Sequence, residues 1–466
     1  GQAAPARRLD SLPPYAREAA PLPVATVSAA VAKAGVPHGS REGGWLPDLV
    51  YTGEKFEAGL AFFADATGRI VRFTREPADL AVARRLEGQA ALPGLVNAHS
   101  HAWHRALRGR AGVIEPAIAQ LNDEDVFDAA RMVFLEMLHA GVTCVGEFHF
   151  LRARPDGSPW PEAHHLAAEI IRAAHEVGVR IALLNAACDD TAPARSRHAG
   201  ADAWVRETEA LRAGVEKNYP ADEAWVGAGV LMLGALPADQ LKVVGAYARS
   251  QRMRLHAQVG AAAAGRTPLA VLAELGFLDK RFTAVDATAL GDDDVKLLGA
   301  ARALVCACPG ASLAAGQGVA PVEKLLAAGA GLALGTDTHA RTDLLGEGRL
   351  LELHLRGATG RRGALGADAA TAVFHAATVA GARSLGATSG ALEVGRPADF
   401  FTVNLHDPAI AGADPGALLA NVVFGFERRA VRDVWVGGRQ RLTNGRHFLH
   451  GPIVGRFSDG QKKLRA

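Results

Sequence analysis

Between residues 92 and 336 short apolar, strand-like runs alternate with longer stretches in which apolar residues recur at helical spacing. Eight such runs are found, at residues 92–99, 142–148, 179–187, 224–233, 253–259, 282–287, 303–308 and 331–336. Helices are predicted between several of them, over 123–140, 162–176 and 237–251, where Pro237 suits a first helical position because its missing N–H costs nothing there. Repeated strand–helix units predict a parallel sheet, and eight of them favour a closed (β/α)₈ barrel of the triosephosphate-isomerase type over an open, doubly wound sheet.

The two flanks have a different texture. Residues 49–52, 60–64 and 69–72 read as short strands with a turn over 65–68, and 400–403 and 431–436 read likewise, with a turn at Gly437-Gly438. Strands from opposite chain ends can share one small β-sandwich if the intervening barrel brings those ends together, which a closed barrel does. The expected division is an N-terminal extension at 1–44, sandwich segments at 45–91 and 385–446, the barrel at 92–384 and a C-terminal tail at 447–466.

Composition changes this picture little. At 466 residues, 49% hydrophobic and 21% charged, the chain has the balance of a globular protein. A formal net charge of +2 supplies no drive toward nucleic acid or an anionic membrane, and no run approaches the ~18 uncharged apolar residues of a membrane span. Cys144, Cys188, Cys306 and Cys308 each lie in an apolar run and are read as buried thiols of a cytoplasmic protein rather than as disulfides. The Ala-, Pro- and Arg-rich extension at 1–44 lacks a signal-peptide core and is a candidate surface for a protein partner, and a homodimer is expected.

The chemistry-bearing residues fall at the C-terminal ends of predicted barrel strands, where barrel active sites lie. His99 and His101 in His99-Ser100-His101 end the first strand, and on extended backbone residues i and i+2 project to the same side and can meet one ion. His256 ends the fifth strand, and Asp337, after Gly335-Thr336, ends the eighth. Three neutral imidazoles and a carboxylate suit one divalent ion, zinc above all, and water bound to such an ion is acidified toward ~7. Asp337 would both touch the metal and accept that water's proton. Glu147 either lines the pocket or orients a metal-bound imidazole, while His104, His149 and His339 are candidate contacts to substrate, with His339 also a catalytic candidate.

The runs Leu92 through His101, Gly335-Thr336-Asp337-Thr338-His339 and Gly395-Arg396-Pro397-Ala398-Asp399 together resemble the amidohydrolase superfamily in its deaminase-like branch. Asn97-Ala98-His99-Ser100-His101-Ala102-Trp103-His104-Arg105-Ala106 and Gly146-Glu147-Phe148-His149-Phe150 are similar to the formimidoylglutamate deiminases, which hydrolyse an imine to an amide and ammonia. The resemblance implies that His99, His101, His256 and Asp337 are metal ligands. It also exposes departures. Val259 stands where the family has a proton-shuttling glutamate, and Asp286 stands where it has a histidine that polarises the attacked carbon. Asp286 is thereby a catalytic position of reversed charge. Leu233-Gly234-Ala235-Leu236 replaces a substrate-gripping arginine, and an apolar segment at 309–316 replaces a polar loop.

Losing a positioned acid–base group costs ~10²–10⁴-fold in rate. The expectation is therefore a metal-dependent hydrolase of a C–N bond in a small polar molecule, with altered substrate. The alternative is a catalytically degenerate descendant with a structural or partner-binding role.

Overall fold

The computed structural model describes residues 40–109, 120–189, 192–260, 266–338, 341–425 and 427–464. The N-terminal extension up to residue 39, part of the glycine- and alanine-rich stretch at 260–265, and His339 lie outside them.

Eight parallel strands form the barrel in chain order: β6 Leu95–Ser100, β7 Val142–His149, β8 Arg180–Ala187, β9 Ala224–Val230, β10 Leu255–Gln258, β11 Phe282–Val285, β12 Leu304–Ala307 and β13 Gly331–Leu334. Every residue of β6, β7 and β8 is buried. Continuous apolar runs rather than alternating ones follow from a sheet covered on both faces. The ring closes between its first and last strands through a parallel bridge pairing Ser100 with Asp337.

The intervening helices start and stop on local signals. In Asp123–His139 the Asn122 side chain accepts from the Asp125 amide while the Asp125 carboxylate accepts from the Asn122 amide, a reciprocal cap. Asp123, Glu124 and Asp125 also complement the positive end of that helix's dipole. Pro237 caps the helix Ala238–Ser250 from just outside its first turn, one position earlier than the sequence suggests.

The predicted first strand is divided between two sheets. Leu92 belongs to β5 (Arg84–Pro93) of the second sheet, and the barrel strand begins only after Gly94. A Cβ at Gly94 would lie 2.1 Å from the Thr143 hydroxyl, so the chain crosses between sheets where no side chain fits. In the second sheet β1 (Gly43–Tyr51) pairs with β2 (Phe56–Ala58), β3 (Ala61–Ala64) and β5, and β4 (Ile70–Thr74) flanks β3. From the other end come β14 (Phe400–Asn404), β15 (Val431–Val436) and β16 (Arg439–Leu442), with β14 running antiparallel to β5, Phe400 opposite Pro93 and Asn404 opposite Gln89. β3 and β14 lie three strand positions apart, ~14 Å in a flat sheet. Yet the rings of Phe62 and Phe400 have centroids 5.0 Å apart, so the sheet curls until its inner face encloses Trp45, Phe62, Phe400 and Trp435.

Sheet and barrel are latched by Arg180 and Asp399, both buried. The Arg180 Nε donates to Asp399 Oδ2 at 2.7 Å and a terminal nitrogen donates to Oδ1 at 3.0 Å, while the Gly437 amide donates to the same Oδ1. This is the work of the aspartate in Gly395-Arg396-Pro397-Ala398-Asp399. Asp399→Ala leaves a buried guanidinium with Asp222 as its remaining ion-pair partner among the described residues and should cost about 3 kcal/mol or more of stability. Urea unfolding checks this, and a loss below about 1 kcal/mol would mean the latch contributes little.

The chain beyond residue 446, expected as a tail, contains the helix His450–Lys463. It buries Ile453 and Phe457 and lies against the helix Asp123–His139, where Arg456 pairs with Asp128 at 3.1 Å. All four cysteines are buried and free, and no described helix is long and apolar enough to cross a membrane.

Candidate active site

The barrel seam is where the candidate metal ligands meet. The His99 carbonyl accepts from the amides of Thr336 and Asp337 at 3.0 and 3.1 Å, and the Asp337 carbonyl accepts from the His101 amide at 3.3 Å. Asn97 fastens the same seam from the side, donating through Nδ2 to the Thr336 hydroxyl at 2.7 Å. Two segments distant in sequence are thereby held in one register, and their side chains converge.

His99, His101 and Asp337, all buried, each offer a donor atom within 4.8 Å of the others. The two Nε2 atoms are 3.2 Å apart, and Asp337 Oδ1 lies 3.1 Å from His101 Nε2 and 3.8 Å from His99 Nε2. Donors at ~2.0–2.2 Å around a tetrahedral ion sit about 3.3–3.6 Å from each other, a range that the three separations here bracket. The orientation of His101 is set from behind: its Nδ1 donates to the Phe148 carbonyl at 2.8 Å, so Nε2 faces the cluster.

His256 is not a member of this trio. It is fully buried on β10, and its Nε2 donates to the Ser384 carbonyl at 2.9 Å. The other nitrogen, Nδ1, is buried and has no hydrogen-bond partner among the described residues. Burial pushes this imidazole down to about 4, so the ring is neutral and Nδ1 carries a free lone pair.

Glu147 divides its two oxygens between the Ser100 hydroxyl and the Ala102 amide, both at 2.7 Å. Of the two roles open to it, the geometry favours bracing the backbone between and beyond the two histidines. Burial raises its carboxyl to about 7 against the pull of these two donors. His104 sits in the 3₁₀ turn Ala102–Leu107, its ring 4.8 Å from that of His101 and packed edgewise on Trp103. His149 ends β7 with Nδ1 buried and without a partner among the described residues, and burial drives it down to about 3.

Over the mouth lies a cavity of about 450 Å³ whose lining includes Gln258, Val259, Asp286, Ser312, Asp337 and Thr338. Met232, Asp286, Ala287 and Asp337 all have positive φ, between 47° and 63°. Left-handed backbone in non-glycine residues is strained, and here it recurs where barrel strands end and turn their side chains toward the mouth. Asp286 accepts from the Ser312 hydroxyl at 3.3 Å, and burial followed by the charge of Asp337 pushes its carboxyl up to about 7. The apolar segment at 309–316, expected as a loop, contains the short helix Pro309–Ala314, held by the buried Glu347, which accepts from the Gly310 amide at 2.6 Å.

Sequence reasoning missed Asn97, Thr336 and Glu347. Asn97 and Thr336 stand inside the runs that carry the histidines and the aspartate, but their pairing exists only once the barrel closes. Gly335 belongs with them. A Cβ there would come within 2.8 Å of His99 Cβ and 2.9 Å of the Cys306 and Cys308 sulfurs. Gly335→Ala should displace His99, and a divalent ion held by the trio would then bind ~10–100-fold more weakly, as with changes just outside a metal shell. Competition with a chromogenic chelator measures this, and unchanged affinity would show that the two thiols yield instead.

Comparison with known proteins agrees with this architecture. Residues 90–441 match the model of the family described as Amidohydrolase family. Formimidoylglutamate deiminase of Pseudomonas aeruginosa is 31% identical over 78% of this chain and 87% of its own length. A 5-methylthioadenosine/S-adenosylhomocysteine deaminase of Moorella thermoacetica is 29% identical over 76% of this chain and 82% of its own. Among solved structures, an amidohydrolase from Brucella melitensis superposes with a TM-score of 0.81 at 22% identity, covering 91% of this chain and all of that one. An adenosine deaminase from Xanthomonas campestris with bound zinc gives 0.78 at 24% identity, covering 91% and 98%. With a matching family model over most of its length and a curated relative above 30% identity, the chain belongs to the amidohydrolase family.

Proposed function

We propose that the protein is a zinc-dependent hydrolase that removes nitrogen, as ammonia or an amine, from a small polar substrate by attack of water on a C–N carbon. The observation that carries this reading is the trio His99, His101 and Asp337, close enough to share one divalent ion, with Asp337 lining a cavity of substrate size. His256 Nδ1, buried without a partner, is the fourth donor of the proposed set. A divalent ion held there would acidify water toward ~7 and so supply a nucleophile at neutral pH.

The chain's own residues account for the rest. The Asp337 carboxylate takes the proton of the attacking water and returns it to the departing nitrogen. With Val259 at the cavity wall the carboxylates that line the cavity among the described residues are Asp337 and Asp286, and Asp337, beside the two histidines, is the proton carrier of this reading. The test is ammonia release by the zinc-loaded protein from formimidoylglutamate, 5-methylthioadenosine, S-adenosylhomocysteine and 5'-deoxyadenosine, the compounds named for its relatives. Zinc bound at one equivalent with release from a C–N substrate is the expected result. Bound zinc with no turnover on this panel or on a wider set of amidines and amides would support instead a degenerate enzyme, the reading that Val259 and Asp286 favour.

A further inference from the structure

A second cavity, of about 360 Å³, opens at the opposite end of the barrel, where β9, β10 and β11 begin. Its wall carries Arg212, Arg252, Arg254 and Arg281 but only one acid, Glu216. Two of these cations are already engaged: Arg212 contacts Glu216 at 3.3 Å, and Arg281 contacts Asp279 at 2.9 Å. Arg252 and Arg254 have no ion pair and no side-chain hydrogen bond among the described residues. Arg254 is half-buried, immediately before β10, and feels the like charges of Arg281 and Arg383 more strongly than the opposite charge of Asp279, which is already paired with Arg281. Partial burial and those like charges push its guanidinium down from its ordinary value, an environment in which an anion would be favoured. Fold stability gives no reason to gather unpaired cations here, and the chemistry of the mouth does not reach this end.

We propose that this cavity is a binding site for the phosphate group of a small molecule, held by Arg252 and Arg254. A phosphate carries about −1.5 to −2 charges at pH 7, matching two free guanidiniums, and arginine forks bind its oxygens in pairs. The volume lies at the low end of the ~300–1,000 Å³ typical of ligand pockets, which suits a small phosphorylated compound or the free ion. Trp225 forms part of the wall and is fixed by its Nε1, which donates to the Leu385 carbonyl at 2.9 Å. Its ring offers a surface to a flat group attached to the phosphate, and its fluorescence reports occupancy.

The test uses the full chain. Sodium phosphate is titrated by calorimetry and tryptophan fluorescence against sodium chloride at equal ionic strength, and adenosine 5'-monophosphate is titrated in parallel. Saturable one-to-one phosphate binding is expected, with affinity reduced about tenfold or more in Arg254→Gln and in Arg252→Gln and partly retained in Arg254→Lys. The fluorescence change should vanish in Trp225→Phe while the heat signal persists. Tighter binding of the nucleotide than of phosphate would identify a phosphate on a planar carrier, and equal or weaker binding a small or free phosphate. Should Arg254→Gln fail to fold, Arg252→Gln decides, because Arg252 is exposed and its loss leaves no buried gap. Binding indistinguishable from chloride, or unchanged in the arginine variants, overturns the proposal. None of these readouts depends on turnover, so the site stands or falls separately from the proposed hydrolase activity.

Discussion

Asp337→Ala and His101→Ala should each lower zinc affinity by well over the ~10–100-fold typical of changes outside a metal's ligand shell. The reason is geometric: His99, His101 and Asp337 hold their donor atoms within 4.8 Å of one another, and removing one leaves two. His256→Ala tests the proposed fourth ligand. Its loss of affinity should be of the same order if Nδ1 binds the ion, and absent if His256 only ties β10 to the Ser384 carbonyl. A second readout is independent of activity. A ligand that binds only the folded chain stabilises it by about 4 kcal/mol at a free concentration a thousand times its Kd. Zinc should therefore raise the melting temperature of the native protein and leave the Asp337→Ala variant unmoved, and a chelator should reverse the rise. Native-like zinc content in Asp337→Ala together with His101→Ala would remove the metal centre from these residues.

Poor hydrolysis of formimidoylglutamate by the unmodified protein is the other large expected effect. Ammonia leaves only if its nitrogen receives a proton, and Val259 occupies the place of the glutamate that the family resemblance assigns to that transfer. Val259 and Asp286 border the same cavity, so carboxylate and imidazole introduced there would face the same space. Val259→Glu combined with Asp286→His should therefore raise turnover, by up to the ~10²–10⁴-fold that a positioned acid–base group contributes. The second change is structurally tolerable: residue 286 has φ 63°, and Asp, Asn and His are the side chains that accept left-handed backbone most readily. Turnover by the unmodified protein at ~1–10³ s⁻¹ would refute the expectation. Silence in both proteins would point past the proton carrier to substrate grip, where Leu233-Gly234-Ala235-Leu236 lacks a cation.

The eight barrel strands are legible in the chain because each is a short apolar run separated from the next by helical periodicity or turn residues. The candidate ligands are legible for a related reason. Strand ends in such a barrel face one mouth, and histidine and aspartate are costly to bury there without a partner. What local pattern cannot carry is pairing at a distance. The division of residues 84–100 between two sheets depends on Gly94 fitting against Thr143, and no periodicity marks it. The helix at 450–463 contains Gly451, Pro452, Gly455 and Gly460, whose local preferences argue against a helix, and it packs Ile453 and Phe457 onto an earlier helix.

The same holds within the site. Residue type and spacing alone mark His99, His101, His256 and Asp337 as candidates, since two imidazoles two residues apart on a strand must share a face. Tertiary structure decided which of them meet. Closure of the seam brings Asp337 to the histidine pair through backbone hydrogen bonds, while His256 is turned by the Ser384 carbonyl, an acceptor 128 residues away. It also decided the role of Glu147, whose oxygens are claimed by the Ser100 hydroxyl and the Ala102 amide. A side chain's identity limits the chemistry it can perform, but its orientation depends on the donors and acceptors that folding places around it, and those come from remote parts of the chain.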